Sequence, residues 1–175
     1  MKELSGIVWV PRFPGKKTVD ALNSPFKERA QSFIDALMAA NVKIKISATL
    51  RPPQRAHLMH FSFQIAMGTI APGAVPPVAG VDIEWVYPTK AASIQAARDM
   101  VNGYGIVKEP SLTSNHISGF AIDMTLTEFL TKDIKMADGS KLRVASFQDL
   151  ITIGASYKVF HKVPNDLPHW SITGK

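Results

Sequence analysis

The order of helical and strand patterns is the feature that most limits the fold of this chain. Apolar residues repeat at helical spacing from Phe26 to Leu37, whereas the next segment, Val42 to Leu50 (VKIKISATL), alternates apolar and polar residues as a half-buried strand does. Helical and strand patterns continue in a mixed order and do not alternate strictly. The sequence therefore predicts an α+β fold, in a single domain over residues 1–175.

Start and stop signals give approximate bounds for these elements. The predicted helices run from Phe26 to Asn41 after the cap Ser24 and Pro25, from about Pro53 to Met67, from the cap Thr89 to Tyr104 with Gly103 and Gly105 at its end, and from the cap Ser146 to about Ala155. The predicted strands are Val42 to Leu50, Gly119 to Leu126 and the closing segments YKVFHKV and HWSI, with a hairpin turn at ADGS (137–140). Residues 68–88 hold the densest proline and glycine content, which predicts a loop that could act as a lid.

Size and composition limit the kinds of metal site that are open to this chain. With 175 residues and 46% hydrophobic content, it is large enough to fold around its own core. It contains no cysteine, which excludes disulfides and thiolate zinc sites. Any metal would therefore be functional, with ligands drawn from five histidines and fourteen acidic residues.

The net charge of +6 favours approach to anionic polymers such as nucleic acid, cell-wall material or lipid headgroups. The basic residues are scattered and no aromatic-rich RNA-binding signature accompanies them, which argues against nucleic acid as the partner. The N-terminal apolar run is broken by Pro11 and Pro14, so we expect no signal peptide, and no later segment is long and apolar enough to span a membrane.

The segment SNHISGFAID, residues 114–123, contains the first candidate ligands, His116 and Asp123. In a straight strand a separation of seven residues puts two side chains on opposite faces, so both can reach one ion only if the backbone bends between them. Ser118-Gly119 supplies such a bend, because glycine permits backbone angles that other residues avoid. We therefore expect His116 on a loop before the strand that carries Asp123.

The segment NDLPHW, residues 165–170, contains the second candidate group, Asp166 and His169. Pro168 restricts its own backbone and that of Leu167, which gives a rigid presentation of both side chains. Two histidines and a carboxylate suit catalytic zinc, which takes three protein ligands and leaves a fourth position to water. Asp166 would then be free to act as a base.

Three ordered motifs resemble those of the zinc-dependent peptidoglycan peptidases of the M15 type, which include D-Ala-D-Ala dipeptidases and share the hedgehog/DD-peptidase fold. The matching stretches are SATLRPPQR, then SNHISGFAID as SxHxxGxAxD, then DLPHW, and they cover roughly residues 47–170. The resemblance implies an antiparallel sheet with helices packed against it. It also implies activity on peptidoglycan stem peptides.

The same resemblance assigns roles to individual side chains. It implies Zn²⁺ held by His116, Asp123 and His169, with Asp166 as the catalytic general base. It also implies that Arg51 and Ser114 bind substrate.

The residue at position 166 narrows the resemblance further. Carboxypeptidase and dipeptidase members usually carry glutamate there, whereas aspartate is similar to the L-alanyl-D-glutamate endopeptidases among phage endolysins. The resemblance thus implies a monomeric phage-type lysis enzyme that stays in the host bacterial cytoplasm until lysis. The alternatives are a D-alanyl-D-alanine carboxypeptidase or dipeptidase on the same scaffold, a non-catalytic wall-binding or virion structural module, and a basic nucleic-acid binder.

Simpler structural roles remain open for several of these residues. Asp123 and Asp166 could be turn or strand-end carboxylates, Arg51 a solvated charge, and Ser114 a cap of its own loop. His161, in VFHKV, is the main rival to His169 as a ligand. The remaining expectations are packing or surface positions for His57 and His60, and a core or pocket-wall position for Trp170.

Overall fold

The computed structural model describes residues 2–175. Its helices are α1 (Phe26–Ala39), α2 (Pro53–Met67), α3 (Lys90–Tyr104) and α4 (Phe147–Ser156). Its strands are β1 (Glu3–Leu4), β2 (Lys43–Ala48), β3 (Ile83–Glu84), β4 (Ala121–Thr127), β5 (Asp133–Lys135), β6 (Lys141–Arg143) and β7 (His169–Ser171). Three short 3-10 turns lie at Ile7–Trp9, Val19–Ala21 and Pro72–Ala74.

The chain forms two compact units, which we describe separately. Unit 1 contains the residues up to Pro14 together with Pro52–Thr113, and unit 2 contains Gly15–Arg51 and Ser114–Lys175. The single domain expected over residues 1–175 stays a prediction.

Unit 1 is built around the helix pair α2 and α3. Leu58 and Ile65 of α2 and Met100 of α3 are fully or almost fully buried in one apolar cluster, together with Trp85 from the connecting segment. Proline at the start of α2, the Thr89 hydroxyl that accepts from the Ala92 N–H, and left-handed Gly68 and Gly105 at the C-termini set the helix bounds.

Unit 2 contains an antiparallel sheet in the order β2-β4-β7 and the small antiparallel pair β5-β6. Helix α1 buries Phe33 and Leu37 in the same cluster as Ile122 of β4 and Trp170 of β7. The α+β class, with an antiparallel sheet and helices packed against it, is confirmed.

Several expected elements differ from the structure. Residues 68–88 are not all loop, because β3 pairs in parallel with β1. Gly103 lies inside α3, and the helix ends at Gly105. Ser24 does not cap α1; Pro25 occupies the N-cap, and the Ser24 hydroxyl donates to Glu28.

The predicted strand YKVFHKV is wrong beyond a single bridge between Phe160 and Ser171. Lys158 has a φ of 61°, which interrupts an extended backbone, and Pro164 has no N–H to donate. Among the helices of residues 2–175, none has the length and apolar composition needed to cross a membrane.

Candidate metal centre

Strand register places Asp123 and His169 opposite each other. Asp123 of β4 pairs with His169 of β7 on one side and with Ala48 of β2 on the other. Directly opposed residues of an antiparallel pair have their Cβ atoms about 4.5–5.5 Å apart, so their side chains meet on one face of the sheet. The register also shifts in β2 between Ile46 and Ala48, so the irregularity lies opposite Asp123.

His116 comes from a tight turn that precedes β4, as predicted. Gly119 closes the turn with a φ of 68°, a left-handed conformation that a Cβ would strain. The side chain of Asn23 donates to the Ser118 carbonyl at 3.0 Å, and the backbone N–H of Asn23 donates to the Gly119 carbonyl at 3.0 Å. These contacts hold the turn in unit 2 and direct the His116 ring towards β4.

The three side chains meet at one carboxylate oxygen. His116 Nε2 lies 3.0 Å and His169 Nδ1 lies 3.1 Å from Asp123 Oδ1. Both rings are almost fully buried, with exposed fractions of 4% and 7%, and Asp123 is partly buried. The ligand atoms of the three residues all lie within 4.8 Å of one another, which makes them a group able to hold a metal ion.

The electrostatics of this group differ from those of isolated side chains. Burial alone would raise the pKa of Asp123, but hydrogen bonds and charge interactions with His116 and His169 outweigh it and hold that pKa well below its usual range. Burial alone would lower the pKa of His169, but its hydrogen bond with Asp123, the nearby backbone of Lys175 and the charges of Asp123 and Asp166 raise it. Asp123 therefore carries a full negative charge, which also favours a bound cation.

The arrangement around His116 fits a metal ligand. Its Nδ1 lies 2.6 Å from the Thr49 carbonyl oxygen, which can only accept, so Nδ1 carries a proton and donates it. Nε2 then faces Asp123 either as a second N–H or as a lone pair. The lone-pair form is the one that binds a cation placed between His116 and Asp123. A backbone carbonyl on the second ring nitrogen is a common outer-shell contact of metal-bound histidine, because it fixes the tautomer and ring orientation.

The distances also fit zinc. Ligand bonds of about 2.0–2.2 Å in tetrahedral geometry separate ligand atoms by roughly 3.3 Å. The separations of 3.0 and 3.1 Å here are close to that value and on its short side. Two imidazoles and one carboxylate are also a donor set that catalytic zinc uses, with a fourth position left for water.

Asp166 lies in the turn that leads into β7 and is partly exposed. Its backbone carbonyl accepts from the His169 N–H at 2.9 Å, and its charge contributes to the raised pKa of His169. It is not one of the three grouped ligands. The charge of Asp166 therefore acts on His169, and its role as general base stays a prediction.

Arg51 and Ser114 both attach to the His116 turn. The backbone N–H of Arg51 donates to the His116 carbonyl at 2.9 Å, which ties the segment after β2 to this turn. The Ser114 hydroxyl accepts from the His116 N–H at 3.3 Å. Ser114 therefore supports the turn, and the substrate-binding roles of both side chains stay predictions.

The remaining histidines are outside the group. His161 is buried between the rings of Phe147 and Trp170, each 5.2 Å away between centroids, and within residues 2–175 it is no part of a three-ligand cluster. His57 and His60 lie on α2 in unit 1 and belong to no such cluster among the described residues. Trp170 is fully buried in the core of unit 2.

Two residues that position the group were not found from the sequence, Thr49 and Asn23. Thr49 acts through its backbone carbonyl, which every residue possesses, so its side chain carries no signal. Asn23 contacts a turn about a hundred residues later in the chain, and nothing in its local sequence indicates this.

Comparison with known proteins adds little to this geometry. No protein-family model matches the chain, and no curated protein matches it. One similar solved structure is a mutant of the vancomycin-resistance D,D-pentapeptidase VanY from a VanB-type resistance cassette, in complex with Zn(II). It has a TM-score of 0.41 and 14% identity over 92% of this chain and 80% of that chain. A TM-score below 0.5 does not establish a shared fold, so the case for a metal centre stands on His116, Asp123 and His169 themselves.

Proposed function

We propose that this chain is a zinc-dependent peptidase that hydrolyses an amide bond in the peptidoglycan stem peptide. One observation carries the proposal: two buried imidazole nitrogens lie about 3 Å from one carboxylate oxygen, on residues that also match the order of the peptidase motifs. In this proposal His116, Asp123 and His169 hold the ion.

Each neighbouring residue then has a defined task. When bound, zinc supplies Lewis-acid polarisation of a carbonyl and lets water ionise near neutral pH. Asp166, three residues before His169, accepts the proton from the attacking water and passes it to the leaving amine. The partly exposed position of Asp166 supports this task, because a proton acceptor has to reach the substrate.

Arg51 is proposed to bind a substrate carboxylate or carbonyl. A guanidinium can grip a carboxylate through two parallel hydrogen bonds, which a lysine ammonium cannot. The backbone hydrogen bond from Arg51 to the His116 carbonyl supports this assignment, since it fixes the start of the Arg51 side chain against the ligand turn. Ser114 would assist at the same place.

The bond that we propose is L-Ala-D-Glu, and the biological role is phage-type lysis. Aspartate at position 166, where carboxypeptidase and dipeptidase members of the resembled family usually carry glutamate, supports this choice. The net charge of +6 favours approach to an anionic cell envelope. The enzyme would act as a monomer after waiting in the host cytoplasm.

Digestion of purified peptidoglycan tests the bond. We expect fragments with new N-terminal D-Glu and no loss of terminal D-Ala, measured by mass spectrometry of released muropeptides. Released D-Ala or D-Ala-D-Ala would replace this choice with a D,D-carboxypeptidase or dipeptidase. Zinc binding without any cleavage would favour a non-catalytic wall-binding module, and salt-sensitive DNA binding unaffected by chelators would favour a nucleic-acid binder.

Metal analysis of single variants tests the assigned roles. His116→Ala and His169→Ala should lose zinc, whereas Asp166→Ala should retain zinc and lose activity by a factor of about 10²–10⁴, the usual contribution of a general base. His161→Ala is the matched control, because His161 is an equally buried histidine of unit 2 outside the group. Retained zinc in His169→Ala together with lost zinc in His161→Ala would contradict the ligand set.

A further inference from the structure

Unit 1 contains a cavity that shares no residue with the metal group. Its volume is about 250 Å³, and its walls come from Lys2, from His57 of α2 and from the segment of residues 72–85. Pockets for drug-sized ligands are usually about 300–1,000 Å³, so this cavity suits a smaller molecule. Three separate parts of the chain converge on it, which distinguishes it from a gap inside one loop.

His57 is a buried polar group at this cavity that makes no hydrogen bond. Only 6% of the residue is exposed, and its ring packs against Phe61 at 4.6 Å between centroids. The histidine ring hydrogen bonds within residues 2–175 belong to His60, His116 and His169, and none involves His57. Burial and, to a smaller extent, His60 lower the pKa of His57 to about 4, so the ring is neutral at pH 7 and offers one donor and one acceptor.

Charges of both signs line the same cavity. Lys2, Asp82 and Glu84 are among its lining residues, and one carboxylate oxygen of Glu84 accepts from the Val86 N–H at 2.9 Å. The pairing of β1 with β3 holds these segments side by side, through a hydrogen bond from the Glu3 N–H to the Asp82 carbonyl. Among the described residues no ion pair joins Lys2 to either carboxylate, so the opposite charges do not neutralise each other directly.

The rest of the lining is apolar and stiff. Pro72, Pro76 and Pro77 contribute rings whose backbone angles are restricted, and Val75 and Val78 add branched side chains. Such a wall can contact an apolar group without losing much conformational freedom on binding.

We propose that this cavity binds a small zwitterion of amino-acid size. Its carboxylate would lie at Lys2, its ammonium group at Asp82 and Glu84, its apolar side chain against the proline and valine wall, and one of its polar atoms would hydrogen-bond to His57. The site is confined to unit 1 and does not depend on the proposed peptidase activity.

The test uses the zinc-loaded chain and free leucine, proline and phenylalanine, each as both enantiomers, by isothermal titration calorimetry. We expect saturable binding of at least one of them. The N-acetyl derivative, which lacks the ammonium group, and the amide, which lacks the carboxylate, should each bind at least about tenfold more weakly, as expected when a charge-assisted contact is lost. NMR signals of the Trp85 indole and the His57 ring should shift on binding, because both residues line the cavity.

Variants locate the site. Asp82→Asn should weaken binding of the zwitterion, and Asp99→Asn, an exposed carboxylate on α3 of the same unit, should not. Lys2→Ala should weaken binding and Lys90→Ala should leave it unchanged.

The proposal is overturned if none of the six amino acids binds, if the blocked derivatives bind equally well, or if Asp82→Asn and Lys2→Ala bind as the unmodified chain does. Activity on peptidoglycan is measured in parallel, and its loss alone would bear on the metal centre and not on this cavity.

Discussion

Each of the two units contains one buried histidine with a shifted pKa, and the two shifts have opposite signs. His57 and His60 are three residues apart on α2 in unit 1, whereas His116 and His169 are far apart in the sequence and meet in unit 2. Burial lowers the pKa of His57, while Asp123 and Asp166 help to raise that of His169 despite burial. The difference is a carboxylate that both rings share: Asp123 Oδ1 lies 3.0 and 3.1 Å from the rings of the second pair. In the first pair the Glu109 carboxylate lies 3.4 Å from His60, and among residues 2–175 no acidic residue completes a three-ligand group with His57 and His60. Close spacing in the sequence is therefore a poorer guide to a metal site than a carboxylate shared across strands.

The largest effect is expected from removing that carboxylate. Asp123→Asn keeps the size of the side chain but loses its charge and one strong ligand, so zinc affinity should fall by more than about a hundredfold, beyond the roughly 10–100-fold loss of an outer-shell partner. Zinc competition titration measures it. Asp133→Asn, an exposed carboxylate on β5 of the same unit, should retain full affinity. Unchanged zinc affinity in Asp123→Asn would show that the shared carboxylate is not what makes the His116–His169 pair a metal site.

An intermediate effect is expected at the turn that presents His116. Gly119→Ala should cost roughly 1–2 kcal/mol of unfolding free energy, because a Cβ at φ 68° is strained, and its Cβ would also lie 3.0 Å from Asn23 Nδ2. Displacement of His116 should lower zinc affinity as well. Gly105→Ala in unit 1 is the matched control, since Gly105 has the same φ of 68° but nothing within 4 Å of an added Cβ. Gly105→Ala should lose stability and keep zinc affinity, and equal zinc affinity in both variants would contradict a positioning role for the turn.

A smaller effect, on the free energy of unfolding at acidic pH, is expected from replacing His57. Its pKa of about 4 in the folded chain lies below the value of about 6.5 for an unfolded one, so the unfolded chain binds more protons between these values. Stability from the neutral ring is complete above pH 6.5 and is lost as the pH falls towards 4. His57→Phe should flatten this part of the curve in urea unfolding. If the stability of His57→Phe fell on acidification as much as that of the unmodified chain, His57 would not be the source of this pH dependence. In the metal-free chain His169 has the opposite effect, because its raised pKa contributes stability that is lost as the pH rises.

Most helix bounds could be predicted because residues with strong local preferences mark them. Pro53 and Gly68 delimit α2 as expected, and the hydroxyl of Thr89 caps α3. The strand containing Asp123 was predicted because its apolar, β-branched run follows Gly119. These are effects of single residues on their own backbone, which a sequence displays directly.

The features that the sequence did not predict depend on contacts between residues that are remote in the sequence. The pair β1-β3 has two residues in each strand, too few to display a period, and was missed. Residue patterns alone did not separate His161 from His169 as ligands, and only the resemblance to the peptidase motifs favoured His169. The register of β4 against β7 distinguishes the two physically, since it sets His169 opposite Asp123.

If His116, Asp123 and His169 hold zinc as proposed, that register also links zinc uptake to correct folding of the chain. Side chains alternate between the two faces of a strand, so a slip of β7 by one residue would turn His169 away from Asp123 and place Trp170 on the wrong side of the sheet. Tight zinc binding can therefore occur only in chains whose last strand has paired correctly. In refolding experiments, the amount of zinc taken up would count correctly assembled molecules, even where helix content alone could not tell them from mispaired ones.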